Sequence, residues 1–196
     1  MPQQAELNLV LASGSPRRKA LLESMGLEFS VLVTDIDESE LENEMPSDYV
    51  ERLACDKALA AQKILNGEAS AVLAADTIVY QNDQIFSKPK DKEDAFRIWS
   101  QLTNSNHHVM TAVCLIAYGK TYLSKSKTAV RFGSISEQQM NQYWQSGEAK
   151  DKAGAYAIQG YASAWVQEIS GSYSNVVGLP LYEVNELLAN INLNWL

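Results

Sequence analysis

The sequence predicts an α/β (α+β) fold, a mixed sheet with flanking helices, on three observations. Strand-like and helical segments alternate through the first hundred or so residues. The helical segments carry capping residues at their starts. Two long strand-like runs, Val109 to Tyr118 and Lys120 to Phe132, meet at a Gly119 turn and break the alternation with a hairpin. That hairpin favours a mixed sheet over a simple doubly wound one.

In chain order, Leu7 to Ala12 (LNLVLA) reads as a short buried strand. Ser15 caps the following helix, Pro16 takes its first position and Gly26 stops it. Glu28 to Val33 alternates like a strand, and the acidic stretch Asp35 to Glu44 reads as a loop. Ser47 is expected to cap a helix that runs to a stop at Gly67. Ala71 to Tyr80 is strand-like, with a turn at Asn82-Asp83 before QIFSKP, and Asp91 opens the helix DKEDAFRIWSQLT. After the hairpin, Ser136 caps a helix to about Ser146. Tyr156 to Ile169 has strand character broken by Gly160, and Leu181 to Ile191 is a last helix.

A chain of 196 residues fits one domain, or one domain with a modest lobe. No apolar run approaches the roughly 18 residues of a membrane span, and the first residues lack the pattern of a secretory signal. Cys55 and Cys114 make no disulfide framework, so a reducing cytoplasm is the expected location. The formal net charge of -8 disfavours a protein that tracks a nucleic-acid polymer. It leaves room for a small anion held by a local group of cations, alone or with a divalent metal.

Arg17, Arg18 and Lys19 stand at the start of the first helix, where the macrodipole already repels positive charge. A strand leading into a small-residue turn and a helix N-terminus can bind an anion, and a bound phosphate would turn the two arginines from a cost into a gain. The alternative is a pair of solvated surface arginines. No Walker-type phosphate loop occurs anywhere in the chain.

Asp76, in VLAADTIVY, is an acid in an apolar β-branched run, costly to bury unless a cation or hydrogen bonds compensate it. At a strand's C-terminal end, beside Thr77, it suits a metal ligand or general base; a strand-edge Asp satisfied by turn amides is the rival reading. Glu38 in DIDESE offers a second carboxylate to a hard cation, with Asp35 and Asp37 as rivals. Lys88 precedes Pro89, which restricts its backbone to extended forms. Lys57 and Arg52 share the 47–66 helix, where Arg52 and Asp56 are spaced to pair. Gln159, just before Gly160, carries a donor and an acceptor that can read the edge of uracil or thymine, or of cytosine with the amide rotated, or simply close a strand end. His107 and His108 point to opposite faces of a strand and cannot readily share an ion. The cysteines lack zinc spacing, and Trp99 and Trp144 read as core.

Taken together, LASGSPRRKALL, DIDE with YVERLACDKA, AADTIV with SKPKD, DKAGAYAIQG and GSYSNVVGLPLYE resemble the Maf family of nucleoside triphosphate pyrophosphatases, in the family's order and from Leu11 to about Leu188. AGAYAIQG and the Asp76-Thr77 pair resemble its dTTP/UTP branch. The resemblance implies one nucleotide pyrophosphatase domain over residues 1–196, a fold akin to inosine triphosphatase, a cleft between two lobes, a divalent cation (Mg²⁺ or Mn²⁺) and often a homodimer. It makes Asp76 the catalytic carboxylate and metal ligand, with Glu38 its partner at the metal. It sets Ser13, Arg18, Lys57 and Lys88 along the phosphate path, and matches Arg17, Thr77 and Gln159 to substrate choice. The implied reaction splits dTTP or UTP into the monophosphate and pyrophosphate. Two alternatives are a pyrophosphatase for 7-methyl-GTP or another modified nucleotide, and a non-catalytic nucleotide-binding regulator of septum formation.

Overall fold

Apolar and alternating runs bounded by turn residues become the strands of a mixed sheet. The computed structural model describes residues 7–66 and 70–193. Its strands are β1 (Asn8–Leu11), β2 (Ser30–Val31), β3 (Ser70–Gln81), β4 (Gln84–Phe86), β5 (Asn106–Ala117), β6 (Lys120–Phe132) and β7 (Val166–Ser170). Its α-helices are α1 (Pro16–Glu23), α2 (Pro46–Leu65), α3 (Lys92–Leu102), α4 (Glu137–Ser146), α5 (Tyr173–Val177) and α6 (Leu181–Ala189). The strand order is β2-β1-β3-β5-β6-β7, with β4 paired to β3. No described helix is long and apolar enough to cross a membrane.

The chain divides into two compact units. The first comprises Met1–Asp76, Thr111–Ser126 and Gly178–Leu196. Here β1 runs parallel to β2 and to β3, with Leu11 opposite Leu73 at the end of the β1–β3 register. Parallel strands covered on both faces should read as continuous apolar runs, and residues 71–76 of β3 are all buried. Leu9, Leu11, Leu73, Val113, Leu115, Leu179, Val184 and Leu188 join in one core cluster.

The second unit comprises Thr77–Met110 and Lys127–Val177. β4 folds back antiparallel on β3 through Asn82 and Asp83, both with positive φ (50° and 62°), the two-residue hairpin that Asn-Asp suggests. α3 is capped by Asp91, whose side chain accepts from the Asp94 amide at 2.8 Å. α4 has a full capping box between Ser136 and Gln139 and ends at Gly147. β7 runs antiparallel to β6. An aromatic core gathers Trp99, Phe132, Tyr143, Tyr156 and Trp165, with the buried His107 against Phe132 and Tyr156.

Several elements differ from the sequence reading. The expected strand at 28–33 is paired only over Ser30–Val31. α2 starts at Pro46 behind Met45, because proline needs no amide partner at the first helical position; Ser47 instead accepts from the Lys125 ammonium at 2.6 Å. The expected stop at Gly67 lies outside the described residues, and Asn66 closes α2 with φ 46°. Tyr156 to Ile169 is mostly not strand: short 3₁₀ turns occupy Ala153–Ala155 and Tyr161–Trp165, and β7 begins only at Val166. Packing overrides β-propensity here. Gly154 has φ 67° and a Cβ on it would meet the Val79 side chain at 2.8 Å, while Trp99 Nε1 donates to the Ala155 carbonyl at 2.9 Å.

Candidate active site

Within the first unit, β1 ends at Leu11 and the chain turns through Ala12–Ser15 into α1. The turn is built by small polar residues: Ser15 N–H donates to Ser13 Oγ at 3.2 Å, and Ser15 Oγ caps the Arg18 amide at 3.5 Å. On the neighbouring strand, Asp76 lies three residues past Leu73, beyond the end of the β1–β3 pairing. It is interior to β3 rather than at its end, since the strand continues to Gln81. Ligand sites gather at the carboxyl ends of parallel strands, and this is such an end.

Asp76 is buried, 7% exposed, and its charge is met by Lys57, whose Nζ donates to Asp76 Oδ1 at 2.6 Å. The same ammonium lies 2.7 Å from Glu38 Oε1. Tyr49, Leu53 and Lys57, spaced four apart, share one face of α2. The first two pack inward, and the third carries its ammonium to the strand.

Glu38 is held in place by α2. The Tyr49 hydroxyl donates to the Glu38 carbonyl at 2.8 Å, and Arg52 Nη2 donates to the Ser39 carbonyl at 3.0 Å. Arg52 also grips Glu44 through Nε and Nη2, both at 2.6 Å, with Asp56 a weaker partner at 3.7 Å. Asp37 is turned onto Ser39, whose hydroxyl and amide hold its carboxyl below the usual range. Among the acids proposed for this loop, Glu38 therefore is the one that reaches Lys57. Burial raises the Tyr49 phenol to about 12, and the Asp76 and Glu38 charges add to the shift, so it stays protonated as a donor.

Arg18 Nε donates to the Gly178 carbonyl at 2.7 Å, and Nη1 to Ser13 Oγ at 3.4 Å. Burial lowers its guanidinium from the ordinary range, Asp76 and Glu38 oppose that shift, and neighbouring Arg17 adds to it. The macrodipole conflict at α1 is thus partly met by resident groups. Lys19 pairs with Glu23 on an exposed face at 3.6 Å, a solvated ion pair of small consequence. Arg17 is half-buried.

Lys57 therefore joins Glu38 to Asp76, while Arg18 joins Ser13 to the Gly178 carbonyl and feels the charge of both acids. Thr77, Lys88 and Gln159 belong to the second unit: Thr77 is half-buried on β3, Lys88 is exposed ahead of buried Pro89, and Gln159 is exposed in a turn. Tyr49 and Gly178 were missed by the sequence reading. Tyr49 could have been found from its spacing with Lys57; the Gly178 carbonyl carries no sequence signal.

The donor set fits a hard divalent cation. Two carboxylates of different exposure converge on one cationic position, as oxygen-liganded ions require. Among the described residues no group of three His, Cys, Asp or Glu is placed to hold a metal ion by itself. The Cys55 thiol is lowered chiefly by its hydrogen bond with Cys114, whose own thiol is raised, and neither is arranged as a metal ligand.

A family model described as Maf-like protein matches residues 8–191. A Vibrio cholerae serotype O1 protein described as a dTTP/UTP pyrophosphatase is 49% identical over 92% of this chain and 96% of its own length. One of the same description from Hydrogenovibrio crunogenus is 43% identical over 94% of this chain and 96% of its own. Among solved structures, a HAM1 protein from Coxiella burnetii shares the fold, with TM-score 0.55 at 14% identity over 95% of this chain and 99% of that one.

Proposed function

The chain belongs to the Maf family, and from that premise we propose that it is a dTTP/UTP pyrophosphatase. It hydrolyses the α–β phosphoanhydride, giving the nucleoside monophosphate and pyrophosphate. The near-full-length identity to relatives of that activity supports the substrate. The observation that carries the chemistry is Lys57 held between buried Asp76 and Glu38 at the mouth of a β1–β3 parallel pair.

In this reading Asp76 takes the proton of a water that attacks the α-phosphorus in line. The leaving oxygen departs with the pyrophosphate, whose charge Lys57, Lys88 and Arg18 neutralise. The Ser13 hydroxyl and the free amides of the Ala12–Ser15 turn receive phosphate oxygens. Asp76 and Glu38 would hold a divalent cation, Mg²⁺ or Mn²⁺, which when bound lowers the pKa of water and neutralises phosphate charge. Arg17, Thr77 and Gln159 select the substrate; the Gln159 amide matches the O4 acceptor and N3–H donor of uracil and thymine.

Residues 1–196 act as one nucleotide pyrophosphatase domain, as a homodimer, in the cytoplasm, where free Cys55 and Cys114 are stable. Its role is removal of modified pyrimidine nucleotides before they enter nucleic acid, with a link to arrest of cell division.

The test is purified protein with Mg²⁺ against a nucleotide panel including UTP, dTTP, CTP, 7-methyl-GTP and purine triphosphates, with product identification. Turnover of UTP and dTTP to pyrophosphate is expected; orthophosphate as the product, or no turnover of either, overturns the assignment. Asp76→Asn is expected to lower kcat by at least about a thousandfold while circular dichroism stays native. Wild-type turnover in that variant removes Asp76 from the chemistry.

A further inference from the structure

Gln159 is exposed, yet the turn that carries it is anchored at both ends by one pair of side chains. Gly160 N–H donates to the Ala157 carbonyl at 3.2 Å, closing a four-residue turn with Ile158 and Gln159 at its centre. At the leading end, Ala157 N–H donates to the Tyr143 hydroxyl at 3.1 Å. At the trailing end, Tyr161 N–H donates to Glu148 Oε2 at 3.3 Å. The pair is itself joined, the Tyr143 hydroxyl donating to Glu148 Oε1 at 2.7 Å. A Cβ on Gly160 would fall within the Glu148 carboxylate, so glycine there is what lets the carboxylate close on the turn.

The foot of this clamp is rigid. Tyr143 is 3% exposed, and its ring meets Trp165 edge-on at 4.8 Å and Trp99 at 5.4 Å between centroids. Burial and the bond to Glu148 keep its hydroxyl protonated, so it donates to the carboxylate while accepting from Ala157. An exposed turn bearing a flexible amide would otherwise lose its ordering entropy only on meeting the base; one already fixed spends less of the binding energy on itself.

We infer that Tyr143 and Glu148 are positioning residues for base selection, holding the Ala157–Gly160 turn in the conformation that presents the Gln159 amide to a uracil-type edge. The inference rests on the assignment of Gln159 to the base under the proposed function. Neither residue is assigned a part in the phosphate chemistry, so their effect falls on substrate affinity and base choice rather than on the chemical step.

The test is steady-state kinetics on UTP and CTP for Gln159→Ala, Tyr143→Phe, Glu148→Gln and Gly160→Ala, and for each of the last three combined with Gln159→Ala. Tyr143→Phe and Glu148→Gln are each expected to raise KM for UTP about tenfold, with kcat within about twofold of wild type. The preference for UTP over CTP should shrink in parallel. Gly160→Ala keeps every hydrogen-bonding group but displaces the carboxylate, so it should give the same split. It carries the test together with Glu148→Gln if Tyr143→Phe does not fold.

Because all three act through Gln159, none should add to the effect of Gln159→Ala. Loss confined to kcat with base preference intact, or effects that multiply with that of Gln159→Ala, overturns the inference. If Gln159→Ala changes KM and base preference but the clamp variants do not, the clamp alone is wrong. If Gln159→Ala changes neither, the base-reading assignment fails and takes the clamp with it.

Discussion

Lys57 stands between two carboxylates of unequal exposure: Asp76 with 10% of its side chain accessible and Glu38 with 42%. The buried partner sets the energetics. An ionised carboxylate that loses its hydrogen-bonded cation in a poorly solvated place is strongly destabilising, whereas an exposed pair is worth little. Lys57→Met is therefore expected to lower stability at neutral pH by about 3 kcal/mol, read from urea unfolding. Adding Asp76→Asn should recover much of that loss, because the uncompensated charge is then gone. A fully additive double variant would show that the ion pair is not the source. Arg18 makes the same point from the other side. Its guanidinium is desolvated beside Arg17, and the Gly178 carbonyl and the two acids are what make that tolerable.

Among the elements, α4 offers a clean test of local design. Its capping box is exposed and contains none of the residues assigned to the chemistry, so Ser136→Ala should cost about 1 kcal/mol in urea unfolding without touching kcat. β5 carries a different device. His107 is fully buried against Phe132 and Tyr156, with Nε2 at 2.8 Å from the Tyr156 hydroxyl. Burial, helped by neighbouring His108, pushes its imidazole down to about 3. The unfolded chain therefore binds a proton that the folded one refuses. The stability contribution is complete above the ordinary histidine range and is lost as pH falls from about 6.5 toward 3. Between about pH 7.5 and pH 5 this residue alone should remove about 2 kcal/mol. A His107→Phe variant should show a flatter stability profile over that window; an unchanged slope would clear His107 of the effect.

Over the whole molecule, a net charge of -8 has to coexist with a polyanionic substrate. Screening limits the reach of distant acids to about 8–10 Å at physiological salt, so the local cations, joined under the proposed function by a divalent ion, govern the site. Such an ion would not be needed to hold the two carboxylates together, because Lys57 already pairs with both. Chelation is thus expected to abolish turnover and leave the melting temperature unchanged, with Mg²⁺ or Mn²⁺ restoring activity. A melting temperature that collapses on chelation would mean a structural ion instead.

Local signals in the sequence were sufficient where the physics is local. The caps at Ser15, Asp91 and Ser136, the two hairpin turns and the charged Asp in an apolar strand could all be read directly, because each depends on neighbours a few residues away. Pro46 against Ser47 shows the limit even there, since two valid start signals stood side by side and the proline prevailed. Only tertiary structure decided that Tyr156 to Trp165 is turns rather than strand, through Gly154 packing on Val79 and Trp99 reaching the Ala155 carbonyl. It also carried Glu38, already singled out by the resemblance, to Lys57, through Tyr49 and Arg52 on α2. Lys57 meets Asp76 across 19 residues of chain and Arg18 meets Gly178 across 160. Such pairings follow from which surfaces bury one another, and periodicity, which reports only a residue's own face, holds no record of them.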